Sequence, residues 1–105
     1  MSAPSRSIVF TSDARADFTS NMLYTFETWG ENQRDQYARR LTTAIRRLIL
    51  FPNLGERRND ISTGLRASSV DMHVVFYRVL PQQVVIVRIL HAKMDAVTEL
   101  GDERH

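Results

Sequence analysis

An α+β fold, with a helical hairpin packed on one face of an antiparallel sheet, is what this sequence predicts. Three observations carry the prediction. A short apolar run near the start leads into two segments of helical periodicity, the two are separated only by Trp29-Gly30-Glu31, and the second half holds three strand-like runs joined by two-residue turns. A chain in this order packs as two layers, helices on sheet.

The elements follow in chain order. Ile8 to Thr11 reads as a short strand that ends at a helix start, with Ser12 as the N-cap and Asp13 and Asp17 near the positive end of the helix dipole. Phe18, Met22, Phe26 and Trp29 then recur at helical spacing and predict one buried stripe, which Gly30 closes as a left-handed stop. Tyr37, Leu41, Ile45 and Leu48 mark the buried face of a second helix, with Ala44 allowing close approach. So short a link between the helices makes them antiparallel. Phe51-Pro52 ends the second helix, because a residue before proline avoids the helical region.

Residues 53–64, rich in Asn and Gly, read as an extended polar segment from which Arg57 and Arg58 protrude. Strands are expected over 65–70, 73–80 and 83–91, antiparallel across turns at Asp71-Met72 and Pro81-Gln82. The last of them, apolar on both faces, belongs inside the sheet, with the first strand pairing along its free side. Counting back from Pro81-Gln82 places Leu80 opposite Gln83, Val75 opposite Arg88 and His73 opposite Leu90. That register puts Tyr77, Arg88 and His73 on one sheet face, and Val74, Phe76, Val87, Ile89 and His91 on the other. Residues 95–105 suggest a short frayed helix with an acidic tail.

At 105 residues the expectation is one domain spanning 1–105. The absence of cysteine excludes a disulfide framework and thiolate chemistry. The opening MSAPSRS has no apolar core behind its arginine and no apolar run is long enough to span a bilayer, so a cytoplasmic protein is expected. Net charge is only +2, yet residues 34–93 carry eleven Arg/Lys against four Asp/Glu. Thirteen of the fourteen basic residues are arginine, whose planar fork suits carboxylates and phosphates. The arginines of the second helix either meet an acidic partner or simply solvate its outer face.

No metal or cofactor is expected. His73 and His91 have no Cys or paired carboxylates at ligand spacing, and neither a glycine-rich phosphate loop nor a nucleophile elbow is present. Arg66, Tyr77, Arg88 and His91 offer the raw material for a nucleic-acid surface or an RNA-cleaving site on an exposed sheet face. Any sheet with one solvated face also shows a few polar groups of this kind.

A resemblance goes further than this chemistry. Trp29-Gly30 with Gln33, Tyr37 and Leu41, then Pro52, Gly55 and Asp60-Ile61 with Gly64-Leu65-Arg66, occur in order over nearly the whole chain. Most specific are His73-Val74-Val75-Phe76-Tyr77-Arg78, Val87-Arg88-Ile89-Leu90-His91 and Met94-Asp95. In these motifs the chain resembles the ParE toxins of bacterial type II toxin–antitoxin systems, within the RelE/ParE superfamily. The resemblance implies a RelE/ParE-like fold and a toxin that binds DNA gyrase without catalytic turnover. It also implies a cognate ParD-like antitoxin as partner in a hetero-oligomer, with neither membrane association nor sequence-specific nucleic-acid binding.

On that footing the target-binding candidates are Arg57, Arg58, Arg66, Arg88 and His91. The antitoxin-binding candidates are Arg39, Arg40, Arg46 and Arg47, which flank apolar edges of the helical hairpin. The alternative is a ribosome-dependent endoribonuclease of the RelE type, with His91 or Tyr77 moving protons and Arg66 or Arg88 on phosphate. His91 is followed by Ala92, so the closing His-Tyr pair of such nucleases is missing. A third reading is a member that has lost toxicity and remains the antitoxin's partner.

Overall fold

The computed structural model describes residues 6–100. Strand β1 (Ser7–Phe10) leads into helices α1 (Ser12–Trp29) and α2 (Glu31–Leu50), followed by β2 (Glu56–Arg57), β3 (Leu65–Val70), β4 (His73–Val79), β5 (Gln83–His91) and the short helix α3 (Ala96–Leu100). The sheet runs β1-β5-β4-β3-β2, antiparallel except for the parallel β1–β5 pair. The expected architecture is therefore present, with β1 placed against β5 as anticipated. Strand β2, inside the segment expected to be extended and polar, is an addition. The acidic tail beyond residue 100 and most of MSAPSRS lie outside the described residues.

The helix boundaries follow local chemistry. Thr11, not Ser12, caps α1: its Oγ1 accepts the Ala14 N–H at 3.0 Å and donates to the Val87 carbonyl at 2.7 Å. Thr11 wins because one hydroxyl both caps the helix and ties it to the sheet. Gly30, at φ 91°, takes the backbone conformation that side chains resist and lets two helices meet with no loop between them. Helix α2 buries Tyr37, Leu41, Ile45 and Leu48 as predicted.

Helix α1 does not bury its whole predicted stripe. Phe18 and Met22 pack on the core, but Phe26 and Trp29 are exposed. Phe26 instead lies under the Arg34 guanidinium, 5.1 Å from its ring centre, and Trp29 lines an open cavity with Tyr37, His73 and His91.

The sheet faces also differ from the expected ones. The β4–β5 turn is as predicted, with the Leu80 N–H bonded to the Gln83 carbonyl at 2.8 Å. A bulge opposite Phe76 and Tyr77 then admits one extra residue of β5. Beyond it His73 faces His91, Val75 faces Ile89 and Phe76 faces Arg88. Val75, Tyr77, Val84, Ile86 and Ile89 thus pack under the helices, while His73 and His91 stand side by side. The opposite face is not solvated. Leu65, Phe76, Val87 and Leu90 form a second apolar cluster covered by Ile61 and by Leu100 of α3. Among the described residues, Ile61 and Leu100 lie over that face, so it is not the open platform that a nucleic-acid surface there would need.

Candidate functional site

Each candidate side chain is placed by an element whose own needs partly decide what it can do. Strand β1 stops at Phe10, opposite Ile86, so the outer edge of β5 beyond that point needs other partners. Helix α1 supplies them. The Asp17 carboxylate accepts the Ile89 N–H at 2.9 Å, and the Asn21 amide donates to the Ile89 carbonyl. Asp17 also takes the Arg88 guanidinium by both oxygens, at 2.7 and 3.0 Å. The pair is largely shielded, with the side chains 15% and 19% exposed. Arg88, expected to point outward at a target, is an internal partner of Asp17.

Arg66 is turned inward as well. Its guanidinium donates to the Gly55 carbonyl at 2.7 Å and to the Asn53 carbonyl at 3.3 Å, holding the segment after α2 against β3. Tyr77 completes that clamp. Its buried hydroxyl donates to the Pro52 carbonyl and accepts the Gly55 N–H, both at 2.8 Å. Gly55 is required there, since a Cβ would stand 2.5 Å from the tyrosine oxygen. Burial raises the Tyr77 phenol above its ordinary pKa, which keeps it protonated.

Arg57 and Arg58 lie at the far edge of the sheet. Arg57 is exposed on β2, and Arg58 forms a two-bond pair with Asp60 at 3.0 Å on each side. That hydrogen-bonded pair lowers the Asp60 carboxyl below its ordinary value. Arg58 and His91 line one cavity of about 220 Å³, with Met94 and Asp95. Sequence reasoning named both residues but did not place them together. Arg66 and Arg88 do not line it.

His91 also lines a larger cavity, of about 460 Å³, with Tyr24, Trp29, Tyr37, Arg40, Asp71 and His73. Tyr37, His73 and His91 follow one another at 5.1 and 5.5 Å between ring centres, the first pair tilted by 39° and the second edge-on at 76°. The Lys93 N–H points at His91 Nδ1 at 3.1 Å, so a neutral His91 carries its proton on Nε2. Burial and the neighbouring His91 lower the pKa of His73. Arg40 bonds Asp71 at 2.7 Å on the rim. This cluster was missed because the expected register set the two histidines on opposite faces.

The remaining arginines of α2 border two grooves. Arg46 and Arg15 rim an apolar cavity of about 730 Å³ lined by Ile8, Phe10, Phe18, Ile45 and Ile49. Arg39, Arg40 and Arg47 share a shallower cleft on the next face of the helix. Among the described residues, no group of three or more His, Cys, Asp or Glu could hold a metal ion, and no helix is long and apolar enough to cross a membrane.

Residues 8–96 match the family model described as the ParE toxin of the type II toxin–antitoxin system, parDE. The chain belongs to the ParE toxin family. Two relatives agree with the match. Toxin ParE1 of Caulobacter vibrioides is 36% identical over 88 residues, covering 84% of this chain and 91% of that protein. Toxin ParE1 of Mycobacterium tuberculosis is 39% identical over 72 residues, covering 68% of this chain and 74% of its own. A solved structure of a chromosomal ParDE toxin–antitoxin system from P. aeruginosa shares the fold, with a TM-score of 0.71 at 19% identity over 82% of this toxin and 95% of that chain.

Proposed function

We propose that this ParE toxin acts in the cytoplasm by binding DNA gyrase and is neutralised by a cognate antitoxin. The observation that carries a binding role over a cleaving one is the fate of the nuclease candidates. The Tyr77 hydroxyl is buried and bonded twice to backbone, Arg88 is paired with Asp17, and Arg66 holds the Gly55 segment. An RNA-cleaving site needs a proton-transfer group and a cation free to meet the scissile phosphate. Of that set only His91 is left to serve.

Target contact then falls to Arg57, Arg58 and His91 at the β2 edge and its cavity. Arg66 and Arg88 support it from beneath by fixing the backbone. The antitoxin is read as an apolar segment with carboxylates that folds onto the helical hairpin. The groove rimmed by Arg15 and Arg46 receives its apolar side chains, and Arg39, Arg40 and Arg47 meet its acidic groups on the adjoining face. Purified toxin added to a gyrase supercoiling assay should inhibit it and leave ribosome-bound mRNA intact. Cleaved mRNA with unimpaired supercoiling would establish the RelE-type reading instead.

A further inference from the structure

The cavity floored by Tyr37 and His73 has a feature that a folded core does not require. Tyr37 is 5% exposed, and its hydroxyl has no hydrogen-bond partner among the described residues; His73 Nδ1 is equally unpaired. Buried polar atoms are almost always satisfied, so two orphans on residues that line one cavity leave bonding capacity there that the folded chain does not use. The walls are aromatic and open to solvent: Trp29 is 68% and Tyr24 63% exposed, although both are apolar enough to be buried elsewhere. The cavity's size, about 460 Å³, is in the range of small-ligand sites.

The surroundings specify the charge of what enters. Arg40 stands on the rim and also lines the cleft that holds Arg39 and Arg47, so the aromatic cavity and the arginine face are continuous. Arg40 gives Nε to Asp71, and its side chain is still 49% exposed, which leaves it able to meet a second anion. Among the described residues no carboxylate pairs with Arg39 or Arg47. Arg40 and Arg47 are seven residues apart, two helical turns or about 10 Å. A row of cations leading to exposed aromatic walls is the arrangement that holds a phosphate backbone while a base stacks.

We propose that this surface binds single-stranded nucleic acid, with phosphates on Arg39, Arg40 and Arg47 and one unstacked base in the cavity between Trp29, Tyr24 and the Tyr37–His73 floor. The base edge bonds the Tyr37 hydroxyl and His73 Nδ1 once the two side chains, closed to water in the free chain, turn toward it. A duplex keeps its bases stacked and cannot fill the cavity. An acidic peptide meets the arginines but offers no planar edge for the floor. Contact of this kind is tolerant of sequence, since every base has a face to stack. An antitoxin segment reaching Arg39 and Arg47 would cover the same surface, so the binding belongs to the unneutralised toxin. The inference is independent of the gyrase reading, and either can fail alone.

The test uses the full chain and a labelled twelve-residue oligothymidylate, followed by anisotropy and by the fluorescence of Trp29, the only tryptophan. Binding should quench Trp29. Replacing Trp29→Ala, at an exposed position that folding does not need, should weaken binding by at least about 5-fold. Arg39→Gln with Arg47→Gln should reduce the slope of log affinity against log salt by about 1.4. Tyr37→Phe should weaken the oligonucleotide without unfolding the protein. Equal affinity for a duplex of the same length, equal affinity for an equally charged oligoglutamate, or an unchanged Trp29→Ala variant would each overturn the proposal.

Discussion

Replacing Asp17 by alanine is the sharpest test of how this fold is held. The carboxylate accepts three hydrogen bonds, two from Arg88 at 2.7 and 3.0 Å and one from the Ile89 N–H at 2.9 Å. Removing it leaves a guanidinium mostly out of water without its counter-charge, and a backbone donor on a strand edge without an acceptor. Breaking a fully buried pair costs about 3–5 kcal/mol, and the partial exposure here points to the lower end. The orphaned amide adds about 1 kcal/mol where water cannot reach it. The sum, about 3–4 kcal/mol, is a large part of the roughly 5–15 kcal/mol that stabilises a small domain. With a urea slope of about 1–3 kcal/mol per M, the unfolding midpoint should fall by at least about 1 M. Replacing both partners by apolar side chains, Asp17→Leu with Arg88→Met, should cost far less than Asp17→Ala alone. A midpoint for Asp17→Ala within about 0.3 M of the parent would refute the reasoning and return Arg88 to the surface as a contact residue.

The two buried tyrosines predict opposite outcomes for the same change. Tyr77→Phe orphans the Gly55 N–H and the Pro52 carbonyl and should lose about 1–3 kcal/mol, whereas Tyr37→Phe removes a hydroxyl that bonds nothing and should be neutral or stabilising, as thermal melts would show. Gly55→Ala drives a methyl group to 2.5 Å from the Tyr77 oxygen and should destabilise by a comparable amount, measured by urea unfolding. His73 has a pKa below the ordinary imidazole value of 6.5 in the folded chain. The unfolded chain therefore binds its proton first as pH falls, so this contribution to stability is full above about 6.5 and declines from there through the lower folded value. Unfolding midpoints at pH 7.5 and 5.5 should show that decline, and His73→Phe should flatten it.

Much of this fold is legible in the sequence because its signals are local. Tyr37, Leu41, Ile45 and Leu48 repeat at helical spacing with arginines between them, and Gly30 and Pro52 punctuate the ends. What could not be read depends on distant partners. Glu56-Arg57 has no strand character of its own and becomes β2 only because β3 offers it an edge. The bulge is hidden because Val84 to Val87 is apolar at every position, so no alternation reveals an extra residue. That slip moved His73 beside His91 and turned Arg88 toward Asp17. The candidate set was legible as residue types, while its grouping was not: Arg58 and His91 line one cavity, whereas Arg66 bonds the Gly55 carbonyl and Arg88 pairs with Asp17.

If Arg57, exposed on β2, and the partly buried Arg58 beside it engage gyrase as proposed, replacing both should weaken inhibition without unfolding the chain. Gyrase supercoiling should be titrated side by side with the parent toxin and with an Arg57→Glu, Arg58→Glu variant whose urea midpoint is unchanged. The variant should need at least about tenfold more protein for the same inhibition, the equivalent of about 1.4 kcal/mol of lost binding. Identical inhibition curves from two equally stable proteins would contradict it.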